Sequence, residues 1–184
     1  MCARGPVAYI TGMRNAVVLL VALFAATSVF AADEMRKLDF LTGEWRGEAW
    51  MQMGLDKKGY AVQRELVQSK LGGEVLLIEG QGRLKLDDGT GGQIVHDAMA
   101  VVSWDEAKKT YRFQTWVAGR GGSDTTLDLV APNTAVWAID SPRGRTRFTI
   151  TVTEKGEWKE VGEHSSDNGA TWRKFFEMNL TKVK

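Results

Sequence analysis

The sequence predicts an all-β fold: a ten-stranded antiparallel up-and-down barrel preceded by a short helix. Three observations support this prediction. Segments rich in Gly, Asn, Asp and Pro recur at intervals of about 8–12 residues, hydrophobic and polar residues alternate between them, and no long connection interrupts the series. A series of antiparallel hairpins closes most simply as a barrel, because closure removes the exposed strand edges.

Residues 34–41 precede the first strand and have the spacing of one or two helical turns. Met35, Leu38 and Leu41 recur every third position and would share one helical face. After this segment, hydrophobic residues recur at every second position instead. We therefore expect a short helix before the barrel.

Nine turn segments divide the rest of the chain into ten strand-like runs. The turn segments are 54–59, 70–73, 87–92, 105–109, 119–123, 131–133, 141–144, 154–156 and 167–169. Gly, Asn and Asp tolerate the positive φ angles of tight turns, and Pro fixes φ at a value that suits them. A barrel of ten strands is wide enough to leave an internal cavity.

Alternation identifies the inward faces of several strands. The apolar sets are Tyr111, Phe113 and Val117, then Thr146, Phe148, Ile150 and Val152, and finally Trp172, Phe176, Met178 and Leu180. One apolar and one polar face per strand is typical of an antiparallel sheet wrapped around a core. Phe113, Phe148 and Phe176 are therefore predicted to face the interior.

Residues 1–31 have the features of a cleaved secretory signal peptide. Two arginines precede an apolar run over 16–26, and small residues follow up to Ala31. The run is shorter than the roughly 20 residues of a membrane span, which makes an uncleaved anchor the weaker alternative. We expect a barrel domain over 32–184 that is periplasmic or secreted, with no stable membrane anchor after cleavage. Translation from Met13 instead of the first residue would preserve this signal.

Composition and motifs argue against several functions. The chain has 24 Lys and Arg against 23 Asp and Glu, without a long basic run, so nucleic acid is not an expected partner. Cleavage would remove the only cysteine, Cys2, and leave no thiol for a disulfide or for nucleophilic chemistry. The sequence contains no phosphate-binding loop, nucleophile elbow or metal-ligand spacing, so an enzyme is the less favoured interpretation. The oligomeric state stays open.

Four polar residues on apolar strands are candidates to orient a ligand. Arg64 and Glu163 share faces that are predicted to point inward, and Glu79 ends a strongly apolar run. His96 and Asp97 are adjacent, so only one of them can face inward, and the sequence does not decide which. The alternative interpretation is that these residues form buried ion pairs or lie at the barrel rim.

A cavity lined by aromatic side chains with a few polar groups is typical of a small-molecule site. We expect a small hydrophobic or amphipathic ligand, held by Arg64, Glu79, His96, Glu163, Trp45, Phe113, Phe148 and Phe176. One alternative is a structural or protein-interaction barrel without a ligand. Another is haem binding or enzyme chemistry at His96, because one inward histidine is enough for axial ligation of haem.

Two short motifs carry further resemblances. Gly43-Glu-Trp45 resembles the Gly-x-Trp signature of lipocalin-type barrels, in which the Trp closes one end, often beneath an Arg or Lys. The segment 165–172, Ser-Ser-Asp-Asn-Gly-Ala-Thr-Trp, resembles the Asp-box found in sialidases and in many unrelated β proteins. This motif predicts a capped hairpin and no glycosidase activity.

The segment 38–50, Leu-Asp-Phe-Leu-Thr-Gly-Glu-Trp-Arg-Gly-Glu-Ala-Trp, resembles the opening of an uncharacterised bacterial secreted family, domain of unknown function 1579. The resemblance continues through 71–80, 95–98, 110–113 and 167–178. It implies a lipocalin-like β-barrel of unknown activity, and it carries over no catalytic residue.

The Trp-x-Gly opening strand also resembles nitrobindin-type and fatty-acid-binding calycin barrels, more distantly. The nitrobindin haem ligand lies near the C-terminus, where this chain has no histidine in residues 179–184. The paired Arg and Tyr that hold the carboxylate in fatty-acid-binding barrels have no clear match either. These departures weaken the haem interpretation and leave the ligand unidentified.

Overall fold

A computed structural model describes residues 31–183. Residues 31–36 are α-helical, and Asp39–Leu41 form a 3-10 turn. The strands are β1 (Gly43–Gln52), β2 (Lys58–Lys70), β3 (Val75–Lys85), β4 (Gly91–Asp105), β5 (Thr110–Val117), β6 (Gly121–Ala131), β7 (Thr134–Ser141), β8 (Gly144–Val152), β9 (Glu157–Ser165) and β10 (Arg173–Lys182). The predicted signal peptide, apart from its last residue, lies outside the described residues.

The ten strands form one closed antiparallel barrel in which each strand pairs with its neighbours in sequence. The first and last strands close the barrel, with Ala49 of β1 opposite Met178 of β10. A hairpin lies at each of the nine predicted turns. The predicted fold class is therefore confirmed, because local turn chemistry and two-residue periodicity are enough to specify an up-and-down series.

The helical segment covers one end of the barrel. Met35, Leu38 and Leu41 share the face predicted for them, and at most 1% of each residue is exposed. The Tyr111 hydroxyl donates a hydrogen bond to the Glu34 carbonyl oxygen over 2.9 Å, which joins the helix to β5. We call this end the closed end.

Two tryptophans fill the barrel just inside the closed end. The rings of Trp45 and Trp158 pack edge to face with centroids 5.5 Å apart. The Trp45 indole donates a hydrogen bond to the Leu41 carbonyl oxygen over 2.8 Å, so its polar atom is satisfied in an apolar setting. The Lys182 ammonium lies 5.1 Å from the Trp45 ring, in the arrangement that the Gly-x-Trp resemblance implies.

The Asp-box segment forms the hairpin between β9 and β10. Asp167 accepts hydrogen bonds from the Thr171 amide over 2.8 Å and from the Ser165 hydroxyl over 2.7 Å. Asn168 and Gly169 take the positive φ angles of 56° and 92° that the turn requires. The Thr171 hydroxyl, the Thr171 amide and the Ser165 hydroxyl lower the pKa of Asp167 to about 2. The motif is thus a self-contained turn of the fold.

Candidate functional site

A cavity of about 310 Å³ occupies the barrel interior on the side away from the helix. It reaches solvent between the β1–β2, β3–β4 and β5–β6 hairpins, where Met53, Tyr60, Leu84 and Val95 line it and are themselves 39–67% exposed. We call this end the mouth. The cavity volume lies within the range of small-molecule sites in proteins.

Aromatic rings form one wall of the cavity. Trp137 stacks on Phe148 with centroids 4.3 Å apart, and Phe113 lies 4.9 Å from Trp137 on the other side. Phe176 meets Phe148 edge to face at 6.0 Å. Phe113, Phe148 and Phe176 therefore line the interior as the alternation predicts, whereas Trp45 lies below the cavity and supports Trp158 in its floor.

Three polar side chains face the cavity in its deep half. Gln63 and Glu65 of β2 and Glu160 of β9 line it, and each residue is less than a tenth exposed. The Gln63 amide donates a hydrogen bond to Glu65 Oε1 over 2.8 Å, and the Trp158 indole donates one to Glu160 Oε2 over 3.3 Å. The apolar site therefore contains two buried carboxyl groups.

The two carboxyl groups favour their protonated forms. Burial is the main cause that raises the pKa of Glu65 to about 8; the Gln63 hydrogen bond and the Arg64 charge oppose this rise, and the nearby charge of Glu160 adds to it. Burial likewise raises the pKa of Glu160 to about 7. An ionised carboxylate loses its hydration in such a site, so each group keeps its proton up to higher pH.

Two glycines of β3 make room for these side chains. A Cβ atom on Gly80 would lie 2.7 Å from Glu65 Oε2, and one on Gly82 would lie 2.6 Å from Gln63 Oε1. An added Cβ atom would force the ends of these two side chains to shift. The glycine positions therefore allow the polar side chains to lie inside the barrel, as strand glycines often do where another group approaches closely.

His96, and not Asp97, faces the interior. His96 lines the cavity towards the mouth, while Asp97 is exposed on the outer face. Burial, and then the charge of Arg120 in the β5–β6 hairpin, lower the pKa of His96 against the opposing effect of Asp97. The neutral imidazole is therefore favoured at neutral pH.

Three predicted site residues lie on the outer face, so the expected inward orientation of Arg64, Glu79 and Glu163 is wrong. Arg64 Nε lies 2.9 Å from a Glu44 carboxylate oxygen, Glu163 pairs with Arg147 over 2.8 Å, and Glu79 is exposed. Arg64 and Glu79 border a shallow groove outside the barrel. The structure brings only His96 and the three phenylalanines of the predicted set together at the cavity.

Each correction has a local cause. Strand β2 is partly apolar on both faces, and its pairing with β3 sets Glu65 opposite the inward position Gly80, so Glu65 rather than Arg64 lies inside. In β10 the pairing with β9 shifts between Lys174 and Phe176, which sets Phe176 opposite Gly162 and leaves Glu163 outside. Glu79 faces outward simply because it lies between two inward positions of β3.

The sequence interpretation missed several residues that line the cavity, among them Gln63, Glu65, Glu160, Arg120, Trp137 and Trp158. Glu160 alternates with Trp158 and Gly162, so the position of Trp158 on the core face could have identified it. No comparable signal separates Glu65 from its neighbour Arg64, since the choice depends on a glycine in the next strand.

The described residues contain no cluster of three or more His, Cys, Asp or Glu side chains able to hold a metal ion. Within residues 31–183, no helix is long and apolar enough to span a bilayer.

Two solved structures share this architecture. Rv2717c from M. tuberculosis superposes with a TM-score of 0.58 at 10% identity, over 82% of this chain and 97% of its own. The S-type phycobiliprotein lyase CPES from Guillardia theta superposes with a TM-score of 0.56 at 8% identity, over 84% and 93%. No family model matches the sequence, and no curated protein is significantly similar to it. Identities this low show the fold alone, and the chain has a calycin-like barrel fold.

Proposed function

We propose that the protein binds a small hydrophobic or amphipathic molecule inside the barrel. The observation that carries the proposal is the aromatic-walled cavity of about 310 Å³, which is open to solvent at one end. An apolar molecule that enters it leaves water, which contributes about 25 cal/mol per Å² of apolar surface removed. The stacked Trp137 and Phe148 rings offer a flat, rigid surface for such a molecule at little cost in side-chain entropy.

Exposed apolar side chains at the mouth support the same proposal. Met53 and Leu55 of the β1–β2 connection are 67% and 91% exposed, and Leu86 and Ile94 beside β3 and β4 are 43% and 46% exposed. Clusters of this kind on a soluble surface mark interaction sites. They provide an apolar path between a ligand outside the protein and the cavity.

The proposal extends to where the protein acts. The signal-like residues 1–31 support export of the protein. An export assay with residues 1–31 fused to a reporter enzyme tests this part separately. Retention of the reporter in the cytoplasm would contradict it.

Binding of N-phenyl-1-naphthylamine, a neutral probe whose fluorescence increases in apolar surroundings, tests the proposed function. We expect saturable binding that is weakened at least about tenfold by Ala98→Trp, because Ala98 lines the cavity and the indole would fill it. Thr126→Trp is the matched control, since Thr126 is exposed on β6. Absence of saturable binding, or equal binding by both variants, would overturn the proposal.

A further inference from the structure

The buried carboxyl groups leave hydrogen-bonding capacity directed at the cavity. One oxygen of Glu65 and one of Glu160 accept hydrogen bonds from Gln63 and Trp158. Among the described residues, the second oxygen of each group has no hydrogen-bond partner. Every fully buried side-chain nitrogen or oxygen in this part of the chain does have one, so the second oxygens are not fully buried. The second oxygens therefore border the open space of the cavity, where a ligand can contact them.

No basic residue lies directly across the sheet from either of these two acids in the described part of the barrel. Across the sheet, Glu65 faces Trp45 on β1 and Gly80 on β3. Glu160 faces Ile150 on β8 and Met178 on β10. None of these four neighbours carries a charge.

The basic groups closest to the two carboxyls are directed elsewhere. Arg64 acts on Glu65 from the outer face, where it pairs with Glu44. Arg120 and His96 line the cavity towards the mouth, and burial keeps His96 predominantly neutral by lowering its pKa. The deep half of the cavity thus contains an uncompensated acidic pair.

The surrounding rings complete a site for a positive charge. Trp158 borders Glu160, and Phe148 and Phe176 lie in the adjacent wall of the same cavity. Aromatic faces attract cations through the negative potential of the π-system, most strongly where water is excluded. Carboxylates and aromatic faces together favour a cation over a neutral or anionic group.

We propose that the ligand is an organic cation: an amine attached to an apolar body, with the amine placed between Glu65 and Glu160. This inference rests on the proposed function and specifies its ligand class. In the empty protein a carboxyl group of the pair holds a proton, which an arriving ammonium group displaces to solvent. The carboxylate that forms balances the ligand's charge, while the apolar body occupies the space against Phe148 and Trp137.

Isothermal titration calorimetry with three ten-carbon ligands tests this inference. Decylammonium, 1-decanol and decanoate share one chain and differ in the charge of the head group. At pH 8 we expect decylammonium to bind at least about tenfold more tightly than 1-decanol, and decanoate to bind most weakly. The ratio of the decylammonium affinity to the 1-decanol affinity should decrease towards pH 6, where both carboxyl groups are protonated.

Proton release provides a second readout that a purely structural role would not produce. Titrations in two buffers of different ionisation enthalpy should show release of about one proton per decylammonium at pH 7, and none for 1-decanol. The double variant Glu65→Gln, Glu160→Gln should lose both the preference for decylammonium over 1-decanol and the proton release. Glu154→Gln, at an exposed turn residue, is the matched control and should behave like the parent protein.

The outcomes separate the inference from the function on which it rests. If 1-decanol or decanoate binds as tightly as decylammonium, or if the double glutamine variant keeps the preference, the cation inference is overturned and the ligand-binding function stands. If none of the three chains binds at any pH, both are overturned. Circular dichroism of each variant establishes that a loss of binding does not arise from unfolding.

Discussion

The two ends of the barrel differ in their contact with water. At the closed end, Leu38, Leu41 and Trp45 are at most 1% exposed, and the Trp45 indole nitrogen is hydrogen-bonded. At the mouth, Leu55 is 91% exposed, and the cavity that opens there contains buried carboxyl groups in its deep half. The comparison indicates that packing at one end stabilises the fold, so that the other end can keep apolar surface exposed and carboxyl groups buried.

Matched leucine truncations at the two ends test this division, and they should have the largest effect. Leu41→Ala removes a fully buried side chain and should lower the free energy of unfolding by about 2–5 kcal/mol, through lost burial and the cavity that remains. Leu55→Ala at the mouth should change it by less than about 0.5 kcal/mol. Urea denaturation followed by tryptophan fluorescence measures both. Equal losses would show that the division between the ends is wrong.

Glu65→Gln should change the free energy of unfolding by an amount that depends on pH and is small at low pH. In the folded protein the pKa of Glu65 is about 8 against an ordinary value of 4.5, so the folded state keeps a proton that the unfolded chain has lost between these pH values. Stability therefore falls as the pH rises through this window. Removing the ionisable group should stabilise the protein by about 4 kcal/mol at pH 8 and by only about 1 kcal/mol at pH 5.

Thermal melts of this variant between pH 5 and pH 8 provide the measurement. Glu154→Gln, at an exposed turn, serves as the control and should show no such trend. A Glu65→Gln protein that is less stable than the parent at pH 8 would contradict the assignment of a buried, proton-holding carboxyl group to the open half of the barrel.

The last and smallest expected effect is the change in the absorption spectrum when haem is added. His96 faces the cavity, but the space in front of it is shared with the Arg120 side chain and lies next to the exposed mouth. We expect no Soret band that depends on this residue when haem is titrated into the protein. A band in the parent protein that His96→Ala abolishes would establish haem as the ligand and contradict the proposed organic cation.

Sequence information predicts the strands far better than it predicts which way they face. Turn residues and alternation act locally, so ten strands, nine hairpins and the helical segment with Met35, Leu38 and Leu41 all follow from them. The aromatic wall follows too, because Phe113 and Phe148 lie on strands with one clearly apolar face. For these elements a short window of sequence contains the decisive physical information.

The polar part of the site depends on contacts between strands and therefore escapes such reasoning. The inward orientation of Glu65 rather than Arg64 follows from the pairing of β2 with β3, in which Glu65 lies opposite Gly80. The orientation of Glu163 relative to Phe176 is decided by an irregularity in the pairing of β9 with β10. Neither effect is visible in the alternation of a single strand.

Closure of the barrel has a consequence for the rate of ligand exchange. Because β1 pairs with β10, every strand is hydrogen-bonded on both sides, and a gap between two strands would break several backbone hydrogen bonds at about 1 kcal/mol each. A ligand that enters at the mouth breaks none of them. The residence time of a bound molecule is then set by the side chains that border the mouth, Met53, Tyr60 and Leu84 among them, so bulk at these positions should control kinetics without altering the barrel.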